Sequence, residues 1–299
     1  MNKLGSFAWN ALCVVCPKLA VRIQYHHILG ERINLRFPKD INEKINYLKF
    51  HSNMKEWARM ADKYTVREYV LERGLGEILV PLYGKYDTTQ ELIDNWNRLP
   101  NQFVLKANHG CGEIKLVKDK TSIDIHQMKL CTDAWLKEKF GRETNERHYL
   151  RIKPCLLVEQ LLEDESVYQF SRSLVDYKVW CFNGNPFCIL VALDRDVENV
   201  GGEHHVFLDV YDTKWNRIIG AMSDKAQLPD RELPKPKNLD KLLECAAILA
   251  KGWRQIRVDL YSIEERVYFG EMTLTSQSGY MNYFTKDFLL KMGSQFEVK

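Results

Sequence analysis

Two carboxylates near the end of the chain stand where chemistry needs them. In Arg254-Gln-Ile-Arg-Val-Asp-Leu-Tyr261, hydrophobic Ile256, Val258 and Leu260 alternate with Arg257, Asp259 and Tyr261. A strand repeats its side-chain direction every two residues, so Arg257 and Asp259 share one face. After Ser262 to Arg266 the chain returns as Val267-Tyr-Phe-Gly-Glu-Met-Thr-Leu274, with Glu271 and Thr273 on one face. A hairpin brings Asp259 and Glu271 to the same side of a sheet, beside Arg257. Mg²⁺ prefers hard oxygen ligands and commonly takes one or two carboxylates, completing its shell with phosphate and water. Upstream, the strand Gln102-Phe-Val-Leu-Lys106 runs into Asn108-His-Gly-Cys-Gly112. A glycine loop after a strand lets backbone N–H groups approach phosphate. Lys106 adds positive charge there. Together these are the parts of a phosphoryl-transfer site, whose catalysis is positioning and charge neutralisation. Taken singly, each has an ordinary reading, as a surface lysine or a carboxylate paired with Arg257.

The elements that must position these residues can be read from pattern. Residues 1–60 are expected to be helical. Asp40 caps a helix carrying Ile41, Ile45 and Leu48, with Glu43 at the reciprocal capping position. A second helix is expected from Asp62 to Arg73, ended by Gly74. The glycine loop lies between two strands, the second being Ile114 to Val117, whereas a Rossmann or Walker site would place a helix after the glycines. A helix is expected from Ser122 to Phe140 and a strand from Cys155 to Gln160. Tyr177 to Phe182 and Phe187 to Leu193 flank Asn183-Gly184-Asn185, a hairpin signal. Val206 to Tyr211 reads as a strand, residues 195–205 as a mobile loop, and Asn238 to Lys251 as a helix.

Composition bounds the rest. The 299 residues carry a net charge of only +3, too little to point to nucleic acid. The eight cysteines sit mostly in apolar runs, as reduced cytosolic thiols do. Cys13 and Cys16 have no second C-x-x-C and are expected to pack on a helix. The pairs His26–His27 and His204–His205 are expected in loops or at the surface, because adjacent residues do not share a helical face. The first twenty residues fall short of the roughly 20 apolar residues needed to span a bilayer. They read as a helix that packs or lies on a membrane surface. The expected location is the cytoplasm, with the inner face of the membrane as the site of any contact through residues 1–20.

Four segments carry a family resemblance: Ala61-Asp-Lys-Tyr-Thr-Val-Arg67, Phe103-Val-Leu-Lys-Ala-Asn-His-Gly-Cys-Gly112, Asp176-Tyr-Lys-Val-Trp-Cys-Phe-Asn-Gly184, and Arg257-Val-Asp with Tyr268-Phe-Gly-Glu271. The chain resembles the TupA-like ATP-grasp proteins over roughly residues 30–285. That family is associated with bacterial surface-polysaccharide and teichuronopeptide synthesis. The resemblance implies an α+β ATP-grasp fold, with two subdomains gripping ATP and a helical N-terminal extension. The expected boundaries are 1–60 for the extension, 61–160 for the lid subdomain and 161–299 for the core subdomain with the Mg²⁺ site.

The resemblance also implies roles. Lys63 and Lys106 would contact phosphate, and Gly110 and Gly112 would shape the closing loop. Glu159 would be the hinge acid near adenine. Glu163, in preference to Asp164 or Glu165, would meet the ribose hydroxyls. Lys178 would face the nucleotide. Asp259 and Glu271 would hold Mg²⁺, and Arg257 would face an acyl phosphate or substrate carboxylate. Thr273 stands where these ligases commonly have a metal-binding Asn. The loop departs further, with Cys111 and Glu113 in a segment that often reads His-Gly-Ser-Gly-Gly. An inward acid would repel ATP, so Glu113 is expected to face outward. The implied activity is ATP- and Mg²⁺-dependent carboxylate–amine ligation, joining a small-molecule or lipid-linked saccharide acid to an amino acid or amine. A sugar kinase, a glycosyltransferase and a non-catalytic scaffold stay open as alternatives.

Overall fold

The computed structural model describes residues 3–194 and 206–298, in two antiparallel sheets flanked by helices. The expected loop over 195–205, with His204 and His205, lies outside the described residues. The chain opens with α1 (Lys3–Val15) and α2 (Pro17–Leu29), separated at Cys16 and closed by Gly30 in the left-handed region. Cys13 is buried, whereas Cys16 is exposed in the break between helices, so the pair does not pack on one helix as expected. Pro17 explains the break, because proline favours the first position of a new helix. His26 and His27 are exposed in the last turn of α2.

Three short helices follow, α3 (Ile41–Leu48), α4 (Met54–Ala61) and α5 (Val66–Glu72). The carboxylate of Asp40 accepts from the Glu43 amide at 2.9 Å, as a cap should. Glu43, however, reaches past the cap residue to accept from the amides of Asn34 and Lys39, at 2.8 and 2.7 Å. The segment before α3 folds back, and those two amides converge on it. The second expected helix begins late, at Val66, because the Asp62 side chain accepts from the Tyr64 amide and closes a turn first.

The smaller sheet holds β1 (Leu82–Tyr86), β2 (Phe103–Ala107), β3 (Ile114–Val117) and β4 (Leu156–Glu159), in the order β1-β4-β2-β3. Helices α6 (Thr89–Asp94) and α7 (Ile125–Lys137) belong to the same layer. Leu92, Phe103, Leu105, Met128, Leu156 and Val158 form its core. α7 starts at Ile125 because Asp124 caps it through the amides of His126 and Gln127.

The larger sheet holds β5 (Asp176–Phe182), β6 (Asn185–Leu193), β7 (Phe207–Asp212), β8 (Gln255–Ile263) and β9 (Arg266–Thr273), in the order β7-β6-β5-β8-β9. Asn183 and Gly184 both have positive φ, as a two-residue hairpin of this twist requires. α8 (Leu239–Ala250) packs on β5, β6 and β8, and α9 (Lys286–Gly293) packs against α3. Ile41, Ile45, Trp57, Met60 and Val70 join this sheet's core. The extension expected over 1–60 therefore divides. α1 and α2 stay outside, and α3 and α4 are part of the main body.

That packing makes a prediction. Ile45→Ala deletes a fully buried side chain and should cost about 2–5 kcal/mol, whereas Leu130→Ala on an exposed face should stay within about 0.5 kcal/mol. Urea unfolding measures both. An Ile45→Ala loss as small as that of Leu130→Ala would show that α3 is not part of the core.

Candidate active site

Strand register builds the first part of the site. Lys178 on β5 pairs with Asp259 on β8, and Asp259 pairs with Glu271 on β9. Three charged residues thus lie in one row across three adjacent strands. Period-two alternation adds Arg257, Thr273 and Asp176 to the same face. The Lys178 ammonium lies 2.6 Å from Asp259 Oδ2 and 3.0 Å from Asp176 Oδ2. Arg257 grips Asp259 with a fork, Nε to Oδ1 and Nη2 to Oδ2, both at 2.7 Å. Planar guanidinium matches a carboxylate in this way. The same Nη2 reaches Thr273 Oγ1 at 3.0 Å and Glu271 Oε1 at 3.3 Å, and Nη1 donates to Ser276 Oγ at 2.5 Å. Thr273 in turn donates to Glu271 Oε1 at 2.8 Å.

Burial alone would raise the Asp259 carboxyl, but Arg257 and Lys178 outweigh it and hold it at about 2. Burial likewise opposes the charge on Arg257, and Asp259 and Glu271 overcome it, so Arg257 stays cationic. The exposures differ: the Asp259 side chain is 2% exposed and that of Glu271 40%. Asp259 is therefore the buried anchor, and Glu271 is the carboxylate open to solvent.

The second part is the glycine loop. Asp62 and Asn108 hold it to the segment carrying Lys63. Asn108 Nδ2 donates to Asp62 Oδ1 at 2.8 Å and to the Lys153 carbonyl at 3.0 Å, while Asn108 Oδ1 accepts from the Cys155 amide at 2.8 Å. The Lys63 amide donates to the Asn108 carbonyl, and its Nζ to the Gly110 carbonyl at 2.7 Å. Gly110 and Gly112 have φ of 82° and 106°, a region that glycine alone enters cheaply. A Cβ on Gly110 would sit 2.7 Å from Glu113 Oε2.

That contact corrects an expectation. Glu113 does not face outward. Its carboxylate folds back beneath Gly110, and Oε2 is buried without a hydrogen-bond partner among the described residues. The strand pairing explains this, since the Ala107 amide binds the Glu113 carbonyl and fixes the backbone where the loop closes. Burial raises the Glu113 carboxyl, its own backbone and Lys63 lower it, and Glu138 raises it further; the net shift is upward.

The third part is the end of β4. Lys106 lies 2.5 Å from Glu159 Oε2, and Arg67 lies 3.4 Å from Oε1 while donating to the Val80 carbonyl at 2.9 Å. From Glu159 the chain leaves the smaller sheet for the larger one. On that connection Glu163 and Glu165 are both exposed. Asp164 is buried and accepts from the amide and hydroxyl of Ser166, at 3.0 and 2.6 Å. Its Oδ1 is committed to a turn, whereas Glu163 is exposed.

The structure thus joins Arg257, Lys178, Asp259, Glu271 and Thr273 in one network, Lys63 with Gly110, and Lys106 with Glu159. Tyr149 packs edge-on against Phe140, the ring beside Gly110. Its phenol is raised by burial and then by the nearby charges of Glu146, Glu271 and Cys111. Sequence reasoning missed Asp62, Arg67, Asn108, Tyr149, Asp176 and Ser276. Asp176 was findable, two residues before Lys178 in a strand. Arg67, in the same Ala61–Arg67 segment as Lys63, was also findable.

Both implied ligands fit these residues. The loop offers positive-φ glycines and the Lys63 cation to a phosphate chain; the inward Glu113 opposes a phosphate there when ionised, and burial, which raises its carboxyl, acts to lessen that charge. Across the sheet face, Asp176, Asp259 and Glu271 bring three negative charges against two positive ones from Lys178 and Arg257. The surplus rests at the exposed Glu271, among oxygen donors suited to a hard divalent cation.

Glu113 yields a prediction by linkage. A carboxyl whose folded value is raised favours the folded state less as pH climbs through its unfolded value of about 4.3. Glu113→Gln should therefore raise the melting temperature at pH 7–8, and the gain should vanish below about pH 4. Scanning fluorimetry across pH checks this. A gain that persists unchanged at low pH would mean the effect is not ionic.

The pattern of the TupA-like ATP-grasp family matches residues 43–297, starting later and reaching further than the 30–285 expected. No curated protein matches the chain. Among solved structures, the chain is similar to D-alanine–D-alanine ligase from Bacillus anthracis complexed with ATP, at 13% identity and a TM-score of 0.42, covering 80% of this chain and 63% of that one. It is similar to L-amino acid ligase from Bacillus licheniformis, at 11% identity and a TM-score of 0.49, covering 89% of this chain and 57% of that one. A third is N5-carboxyaminoimidazole ribonucleotide synthetase from Thermus thermophilus, at 14% identity and a TM-score of 0.39, covering 78% of this chain and 51% of that one. The chain spans less than two thirds of the length of each of these three. With the family pattern matched over most of its length, the chain belongs to the TupA-like ATP-grasp family and has that family's α+β fold.

Proposed function

We propose that the protein is an ATP- and Mg²⁺-dependent ligase that joins a carboxylate to an amine through an acyl phosphate. The observation that carries this reading is the row Lys178–Asp259–Glu271 with Arg257 forked onto Asp259. It puts a buried, charge-balanced platform under one exposed carboxylate.

In this reading the glycine loop and Lys63 cover the phosphates, and Lys106 and Glu159 mark the nucleotide end of the cleft. Glu163 meets the ribose. Glu271 would hold Mg²⁺ first, and Asp259, whose oxygens are held by Arg257 and Lys178, would join it only as one of those cations moved off, with Thr273 a weaker oxygen donor than the usual amide; bound there, the ion would draw charge from the phosphate oxygens. A carboxylate oxygen of the first substrate attacks the γ-phosphorus, the bond to the bridging oxygen breaks, and ADP leaves. The amine nitrogen then attacks the acyl carbon, inorganic phosphate departs, and the amine gives up a proton to solvent. Arg257 spends Nε and Nη2 on Asp259, Glu271 and Thr273 and one Nη1 hydrogen on Ser276, which leaves one Nη1 hydrogen to meet the charge of an acyl phosphate. The loop keeps water from that intermediate. No cysteine nucleophile is needed, so Cys111 has no covalent role.

The substrate class rests on the family: a sugar acid of a bacterial surface-polysaccharide precursor, free or lipid-linked, and an amino acid or amine. Its test is ADP release from MgATP over a panel of uronic acids and amines, with hydroxylamine present to trap the acyl phosphate as a hydroxamate. The expected result is acid-dependent ADP release with hydroxamate, reduced at least about 100-fold in Glu271→Ala. A phosphorylated sugar in place of hydroxamate would make the protein a kinase. Turnover of a sugar nucleotide without ATP would make it a glycosyltransferase. ATP binding without turnover, partners included, would make it a scaffold.

A further inference from the structure

The two N-terminal helices carry features that the nucleotide site does not use. One side of α1 is anchored: Trp9 Nε1 donates to the Glu143 carbonyl at 3.2 Å, and Cys13 is buried beside it. One side of α2 is anchored too, with Val21 and Tyr25 packed against Ile33 and Tyr280. The remaining apolar side chains face water. Phe7 is 78% exposed and Val15 77%, and Val14, Leu19 and Ile23 are exposed as well. Phe7 and Val14 are two turns apart, and Leu19 and Ile23 one turn, so each pair forms a stripe on its helix. Large apolar side chains left exposed on two consecutive helices point to an interaction site.

The same segment is cationic. Residues 1–36 contain five Lys and Arg against the single acid Glu31, a formal +4 in a chain whose total is +3. Arg22 lies within the Leu19–Ile23 turn. Lys18, Arg22, Arg36 and His51 line a cavity of about 320 Å³, together with Leu35 and Tyr47. Lys18 Nζ stands 5.8 Å over the Phe50 ring. Apolar side chains interleaved with Lys and Arg on short helices match an interfacial membrane element. Among the described residues, no helix is long and apolar enough to cross a membrane. A second copy is a poor occupant, since a two-fold contact would set one cationic face against another.

We propose that α1, α2 and the adjoining cationic cavity dock the protein on a membrane surface bearing anionic phospholipid headgroups. Phe7, Val14, Val15, Leu19 and Ile23 enter the headgroup boundary, and the cavity receives lipid phosphates. This does not depend on the ligase reading.

Vesicle flotation of the full chain tests it, comparing phosphatidylcholine with a mixture containing about one-third phosphatidylglycerol. Wild type should bind the anionic vesicles at least about ten-fold better, and salt near 1 M should weaken that binding. The double variants Val14→Asp/Val15→Asp and Lys18→Glu/Arg22→Glu should each lose about ten-fold while keeping the wild-type circular dichroism spectrum. No binding, equal binding to neutral and anionic vesicles, or unaffected variants would overturn the proposal. So would displacement by inorganic phosphate at constant ionic strength, which would assign the cavity to a free anion. A dimer in light scattering that Val14→Asp/Val15→Asp dissociates, without any vesicle binding, would assign the face to a second copy.

Discussion

The fork between Arg257 and Asp259 is the constraint on which the site depends. An unpaired charge in a sheet interior is expensive, and breaking such a pair leaves its partner stranded. Here the cost is met within one row. Asp259 is held from both sides, by Arg257 on its own strand and by Lys178 on the next. Each cation then reaches one further carboxylate, Glu271 or Asp176. Strand register, not side-chain flexibility, sets these distances. A one-residue slip of β9 would turn Glu271 to the opposite face and break the row. The fold and the chemistry therefore share one requirement, the pairing of β5, β8 and β9.

The glycine loop obeys a different logic. Its shape comes from backbone hydrogen bonds and from one buried side-chain pair, Asp62 with Asn108. Asn108 uses both its amide and its carbonyl, joining the Lys63 segment, the loop and the start of β4. Lys63 reaches the loop by its side chain. Tyr149 packs against Phe140 beside the loop's Gly110. Its segment is tied to the larger body by Glu146, which accepts from Thr275 and from Ser278, the latter at 2.7 Å. The proposed nucleotide would lie between this loop and the carboxylate row.

Much of this was legible in the sequence, for physical reasons. Period-two alternation in residues 254–261 gave the face of Arg257 and Asp259, and Asn183-Gly184 gave the β5–β6 hairpin. β1 was not legible. Its residues Leu82-Tyr-Gly-Lys-Tyr86 include no continuous apolar run, and its stability comes from pairing with β4 across a register shift near Gly84. Glu113 was misread because loop residues carry no periodicity, and its direction follows from the Ala107–Glu113 backbone bond. Asp62 and Asn108 were missed because a contact 46 residues apart leaves no local signal. Glu43 was read as a capping box from spacing, yet it satisfies two amides outside the helix.

The central claim is that one nucleotide is gripped by elements of both sheets. Hydrogen exchange with and without Mg²⁺ and a non-hydrolysable ATP analogue tests it most directly, since exchange reports local opening residue by residue. The analogue should slow exchange in two separate segments together, the glycine loop over 108–113 and the β8–β9 pair around Asp259 and Glu271. Protection confined to one segment, or absent from both while the protein stays folded, would contradict it.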